Sequence, residues 1–231
     1  MQPAAPAKAI STPGKRYAGT SRSKFLKALA VAAAKGNDRE ADDLRNAILQ
    51  GNVLLTDASI QTTKNGSGRN QINMFENTDE REVGINSLSK SMLQKGQYLL
   101  VDSITILGAS LFGTTANPTA ALVRGSSEER TAFKKTEFVS LDATGTNSAL
   151  CIVANGELKV RVRNKDVVKE IALHRFVQDN NAFTTVGTLQ LDTPFLVRSQ
   201  ESIELILDLP TTTKENTLVR VLLNGTATVP A

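Results

Sequence analysis

The chain has 231 residues, 27 Lys+Arg against 23 Asp+Glu, and 40% hydrophobic content, a balance that supports a buried core and excludes a disordered protein. One cysteine and one histidine exclude a disulfide framework, a clustered thiolate metal site and most Ser-His or Cys-His catalytic schemes within one chain. Trp is absent and aromatics make up 4%, thin for base-stacking surfaces or sugar platforms, and no apolar run reaches the roughly 20 residues that span a bilayer.

The net charge of +4 is unevenly spread. Residues 1–37 carry Lys8, Lys15, Arg16, Arg22, Lys24, Lys27 and Lys35 and no acid, which leaves 20 basic against 23 acidic residues elsewhere. A basic leader on a mildly acidic body suits contact with a polyanion; a solubilising tail is the plainer reading. Residues 1–22, rich in Pro, Ala, Gly, Ser and Thr, read as an extended basic arm. Lys27 interrupts the apolar run from Leu26 to Ala34, which argues against a secretory signal.

From Ser23 the pattern changes. Leu26, Leu29, Ala30 and Ala33 fall on one helical stripe that ends at Gly36. Asn37 stands three before Glu40 as a cap, and Ala41, Leu44 and Ile48 continue one face to Gly51. Residues 23–51 are therefore expected to form a helical hairpin whose helices are too short to stand alone and must dock on the body or on a neighbouring subunit.

Residues 52–231 read as mainly β. Runs rich in Val, Ile, Thr and Leu are separated by Gly, Asn and Pro clusters. Ser148–Val153 and Glu157–Arg163 flank Asn155-Gly156, a hairpin signal, with Leu158, Val160 and Val162 on one face and Lys159, Arg161 and Arg163 on the other. Asn164-Lys165-Asp166 turns into a third strand, Val167–Leu173. Ala58–Thr63 and Arg69–Phe75 form a second expected hairpin across Asn65-Gly66-Ser67-Gly68. Gln97–Leu107 is apolar on both faces, so it is expected as a central strand. Val53–Thr56, Ala120–Val123, Phe133–Leu141, Thr184–Leu191, Phe195–Val197, Ser202–Leu209 and Leu218–Leu223 complete the set. These fit a single jelly-roll β-sandwich, since two complete rolls need roughly sixteen strands of five to six residues.

Chemistry-bearing residues are sparse. Cys151, between Leu150 and Ile152, is expected as a buried small hydrophobe in a strand. His174, beside Arg175 at a strand end, reads as a loop or edge residue. Glu76, Asp79, Glu80 and Glu82 form the densest acidic cluster, but their spacing matches no loop that wraps a calcium ion. Gly66-Ser67-Gly68 lacks the strand-to-helix frame of a phosphate cradle. The Lys159, Arg161 and Arg163 face is a candidate interface for nucleic acid or an acidic subunit, or a sheet face kept soluble by charge. No catalytic, cofactor or metal residues are assigned.

Two segments carry a resemblance. Ser87-Leu88-Ser89 through Leu93-Gln94-Lys95-Gly96-Gln97-Tyr98-Leu99-Leu100-Val101 resembles the first core strand of jelly-roll capsid proteins from tailless icosahedral bacteriophages. Pro194-Phe195-Leu196-Val197, Ser202–Leu209, Pro210 and Thr217–Leu223-Asn224-Gly225 are similar to the closing strands of those proteins, where the last strand ends in Gly. The resemblance implies a non-enzymatic virion shell subunit that works by self-assembly. Its partners would be copies of itself and other virion proteins, with packaged nucleic acid or an internal membrane against the amino-terminal arm, and no small-molecule substrate. Residues 1–50 are expected on the inner face or clamped on an adjacent subunit. The chain is too short for the double roll common in that family, so a vertex (penton) or minor virion protein is an alternative role. A carbohydrate-binding, lectin-like sandwich shares the architecture.

Overall fold

Proline suits the first turn of a helix because its missing N–H would have no partner there, and Pro13 opens helix α1 (Pro13–Gly36). The structure, a computed structural model, describes residues 13–36, 39–110, 125–141, 147–177 and 187–230. The chain divides into a smaller unit, Met1–Thr56 with Thr228–Ala231, and a larger one, Asp57–Ala227.

In the smaller unit α1 packs on α2 (Arg39–Gln50). Phe25 and Leu29 of α1 and Ala41 and Ile48 of α2 are buried, at the spacings that place side chains on one helical face. Glu40 and Asp42 occupy the first turn of α2, and its last turn holds no base. Arg22 of α1 supplies one, its guanidinium donating to the Ile48 carbonyl oxygen at 3.0 Å, where the negative end of the helix dipole lies. Gly51, at φ +84°, ends the helix; the Asn52 N–H donates to the Ala47 carbonyl at 2.9 Å, a closure that a left-handed residue permits.

α1 starts at Pro13 rather than at Ser23, so residues 13–22 of the expected extended arm are helical. Gly14, Gly19 and Ser21 argue against helix locally, but extending an existing helix costs far less than starting one. Lys8 and Asn37 lie outside the described residues.

The protein is mainly β, with two antiparallel sheets in a sandwich-like arrangement. The first contains β1 (Val53–Asn65), β9 (Thr217–Pro230) and β3 (Leu99–Ser110) in that order, and β3 also pairs with β4 (Val139–Ser140) and β7 (Thr188–Val197). The second runs β2 (Gln71–Asn73), β8 (Ile203–Asp208), β5 (Glu157–Val162), β6 (Lys165–Ala172). Apolar residues at every second position of β5 and β8 turn inward: Leu158, Val160, Ile203, Leu205 and Leu207 are fully buried. They join Leu99, Val101, Ile104 and Ile106 of β3 in one core. As its two-sided apolar pattern requires, β3 is central: β9 pairs with it from Leu99↔Ala227 to Ser110↔Thr217, and β7 and β4 take its other edge.

Four expected elements differ. Ser148–Val153 is not a strand but most of helix α4 (Ser148–Ala154), capped by the Asn147 side chain, which accepts from the Ala149 N–H at 3.3 Å. Ala149, Leu150, Val153 and Ala154 are buried, a helical spacing that six apolar residues also present to a strand reading. Asn155-Gly156 thus joins helix to strand; the hairpin turn is Arg163-Asn164, both at positive φ, between β5 and β6. Phe133 belongs to helix α3 (Ser127–Lys135), and only Val139–Ser140 of the expected Phe133–Leu141 strand is extended. Residues 58–63 and 69–75 are no hairpin, because β1 pairs with β9 and β2 with β8. The Gly66-Ser67-Gly68 turn carries the chain from one sheet to the other, held by the Gly66 N–H donating to the Thr217 carbonyl at 2.8 Å. A smaller difference concerns one resembling segment: β9 continues past Gly225 to Pro230. The expected strand Ala120–Val123 lies outside the described residues.

Gly225 sits opposite Val101, where the β3–β9 register shifts. A Cβ there would run into the Leu100 carbonyl oxygen, a backbone atom that cannot rotate away. Gly225→Ala is expected to cost at least about 2 kcal/mol by overpacking, read as a lowered midpoint in chemical denaturation; an unchanged midpoint would mean that the bulge relaxes freely.

Candidate functional site

Charged side chains in the larger unit fall into distinct sets. Lys64, near the end of β1, donates through Nζ to Glu76 Oε2 at 3.0 Å and to Asp79 Oδ1, while Asp79 Oδ2 accepts from the Glu76 N–H at 3.0 Å. The Lys64 and Asp79 side chains are 18% and 11% exposed, so an ammonium occupies the place where a hard cation would have to sit. Glu82 turns elsewhere, accepting from Lys134 Nζ at 2.7 Å with Arg130 at 4.0 Å, and Glu80 is exposed. The acidic cluster is therefore divided between two sets of ion pairs. Among the described residues no three His, Cys, Asp or Glu side chains are placed to hold a metal ion. A cleft of about 470 Å³ lies over these groups.

α3 is fixed to the same region. Its cap Ser126 accepts from the Glu129 N–H at 3.1 Å. Glu129, 4% exposed, accepts from the Gly125 N–H at 2.7 Å and from Asn65 Nδ2 at 2.8 Å. Ser126 and Glu129 have the Ser-x-x-Glu spacing that marks a helix start in the sequence and that the strand reading of Phe133–Leu141 passes over, although the Glu129 carboxylate reaches the Gly125 N–H rather than that of the cap. Arg220 of β9 clasps the neighbourhood: its guanidinium donates to Thr63 Oγ1, the Gly84 carbonyl and the Phe133 carbonyl, each at 3.0 Å. It lies 4.0 Å from the Phe138 ring centroid, and burial lowers its pKa.

The three expected cations each have a carboxylate neighbour. Lys159 Nζ donates to Asp208 at 3.0 Å and has Glu170 at 3.9 Å; Arg161 donates to Asp166 at 2.8 Å; Arg163 has Glu201 at 3.8 Å. The expected interface face is thus a lattice of opposite charges across β8, β5 and β6, not a free positive strip. The hydrogen bond to Asp208 holds the Lys159 ammonium above its usual range. Arg161, through its hydrogen bond, holds Asp166 below the ordinary carboxylate value. At Asp208 burial acts upward, but hydrogen bonds from Gln71 and Lys159 prevail and the pKa is lowered.

Elsewhere, Cys151 lies in α4, partly exposed rather than buried, with Asn155 Nδ2 donating to its sulfur at 3.7 Å. His174 is exposed in a 3-10 turn, Leu173–Phe176. Of the amino-terminal cations, Arg22 caps α2, whereas Lys24 and Lys27 are exposed with no ion pair among the described residues. Lys15, Arg16 and Lys35 belong to α1.

A cleft of about 670 Å³ lies between β1, the segment 81–95 and Tyr98–Leu99. Arg81, Lys90 and Lys95 line it against one carboxylate, Glu82. Local sequence gave no signal for this site, since the three cations are scattered singly and only the fold brings them together.

Removing the ammonium between two carboxylates leaves uncompensated charge, so Lys64→Ala should cost about 2–3 kcal/mol, less than for a fully buried pair, as measured by urea denaturation. The β5 lattice predicts a pH dependence. Asp166 and Asp208 lie below the ordinary 3.8, so their stabilisation is complete above that value and is lost as pH falls through the lower folded values. Asp208→Asn should flatten the fall in denaturation midpoint on acidification, and added salt should reduce the same slope.

No protein-family model matches the chain, and no curated protein and no solved structure matches it.

Proposed function

We propose that the protein is a subunit of an icosahedral capsid of a tailless virus, a single jelly-roll brick that acts by assembly with copies of itself rather than by catalysis. The observation that carries this reading is the pairing of the eight longer strands, β4 being set aside. Numbered one to eight in chain order, they pair first with eighth, second with seventh, third with sixth and fourth with fifth: β1 with β9, β2 with β8, β3 with β7, and β5 with β6. A long antiparallel ribbon rolled on itself has this order, with the eighth strand also meeting the third and the seventh the fourth, as β9 meets β3 and β8 meets β5. The two segments that resemble phage capsid strands also become neighbours, since Leu99 faces Val197 on one edge and Ala227 on the other.

A roll of this kind is a stiff wedge, and symmetric repetition turns many modest contacts into a closed shell. Surface chemistry supports the assignment. Of the seven large apolar side chains exposed among the described residues, Val31, Leu49, Leu54 and Val229 belong to the smaller unit, where neighbouring subunits would cover them. The unpaired lysines of α1, Lys24 and Lys27, face the polyanion that the particle encloses, nucleic acid or an internal membrane. The protein would reside in the virion.

Electron microscopy of the purified chain at rising concentration is expected to reveal closed shells or regular rings, with sedimentation showing discrete large species. A monomer that persists at the highest concentration, alone and with added anionic polymer, would overturn the reading.

A further inference from the structure

An open sheet edge is a template for another chain, and proteins usually close it. Most edges here are closed. β2 and β4 have three and two residues, and β7 carries Pro194, which removes a donor. β6 is broken by register shifts against β5 and by Glu170 at φ +44°.

β1 differs. It has 13 residues, and its outer edge is covered only in part: the Gln61 N–H donates to Ser87 Oγ and the Ser87 N–H to the Gln61 carbonyl, both at 2.9 Å. Alternation along a strand turns the Ser59 N–H and carbonyl to the same side as those of Gln61, and no described residue bonds them there. The 670 Å³ cleft opens along this stretch, lined by Ala58 to Gln61. Arg81, Lys90 and Lys95 are exposed and form no ion pair among the described residues. Glu82, the one carboxylate in the lining, is taken by Lys134 at 2.7 Å. Leu88 and Leu93 form the floor of the same cleft, buried at 8% and 6%, while Val83 there is 87% exposed.

We propose that this cleft docks an extended acidic segment of a partner polypeptide, which adds to the outer edge of β1 as a further strand. Main-chain hydrogen bonds to Ser59 hold it in register, its apolar side chains meet the exposed Val83, and its carboxylates meet Arg81, Lys90 and Lys95. Strand addition draws affinity from the backbone and specificity from alternate side chains, while unpaired cations select an acidic partner. A single-stranded nucleic acid fits less well, because the one aromatic ring in the lining, Tyr98, is 2% exposed and offers no face for stacking. The inference does not depend on the capsid reading, since the soluble chain suffices to test it.

The probe is a synthetic peptide of alternating Glu and Val, compared with an isomer of the same composition in which all Glu precede all Val, and with oligo(dT). Titrations on the full chain are followed by fluorescence anisotropy at low salt. The alternating peptide is expected to bind about tenfold more tightly than its isomer, and an Arg81→Glu/Lys95→Glu double variant should lose about tenfold in affinity for it. Ser59→Pro removes the outward donor and should weaken binding at an unchanged melting temperature. Should that variant unfold, a peptide N-methylated at every second residue should fail to bind the unaltered chain. Equal affinity for both isomers, or indifference to the double variant, would overturn the proposal. Oligo(dT) binding of the same strength, lost in the double variant, would assign the cleft to nucleic acid instead.

Discussion

Strand β3 is the constraint on which the larger unit depends. It is hydrogen-bonded to β9 along its length and shares its other edge between β7 and β4, and most of its side chains are buried. Buried backbone groups must all find partners, so this placement demands long neighbours on both sides. It also demands close approach. Gly225 lets β9 pass the Leu100 carbonyl, and Gly108 leaves the space that Leu150 of α4 fills, since a Cβ there would meet that side chain. Two missing Cβ atoms, one on β9 and one on β3 itself, thus set how closely β9 approaches β3 and where α4 can sit.

Charge is handled differently on the sheet and off it. On the second sheet the cations of β5, Lys159 and Arg161, are matched by carboxylates of adjacent strands. Each exposed pair is worth little by itself. Lys64 takes up Glu76 and Asp79, and Lys134 takes up Glu82, in the same way. At the β1 cleft, by contrast, Arg81, Lys90 and Lys95 are exposed and form no ion pair among the described residues.

Much of the sandwich was legible in sequence because alternation is enforced by burial. The inward set of Leu158, Val160 and Val162 is buried as its spacing requires, and the two-sided run of β3 marks a central strand. What escaped was decided at a distance. Asn65 to Gly68 has hairpin chemistry, yet the turn is held by Thr217, so it serves a change of sheet. Ser148–Val153 is too short for periodicity to separate helix from strand, and packing against β3 chose helix. In α1, the stripe through Leu29 was visible but Phe25, fully buried, lay one residue outside it. The roles of Arg220 and Lys64 depend on carbonyls and carboxylates brought in from other segments, which spacing alone does not reveal.

The smaller unit poses a different stability problem. A pair of helices with few buried apolar side chains gains little from its own core against the entropy of ordering the chain, and this one leaves Val31 and Leu49 exposed at 46% and 54%. Within it, charge placement compensates in part, through Arg22 at the α2 carboxyl end and Glu40 and Asp42 at its start. On the capsid reading the remainder comes from neighbours: contacts made only in the assembled state stabilise the folded hairpin by mass action. Order in the amino-terminal region and growth of the shell then become one linked equilibrium, in which a weak local fold acts as a brake on premature association and is relieved as subunits accumulate.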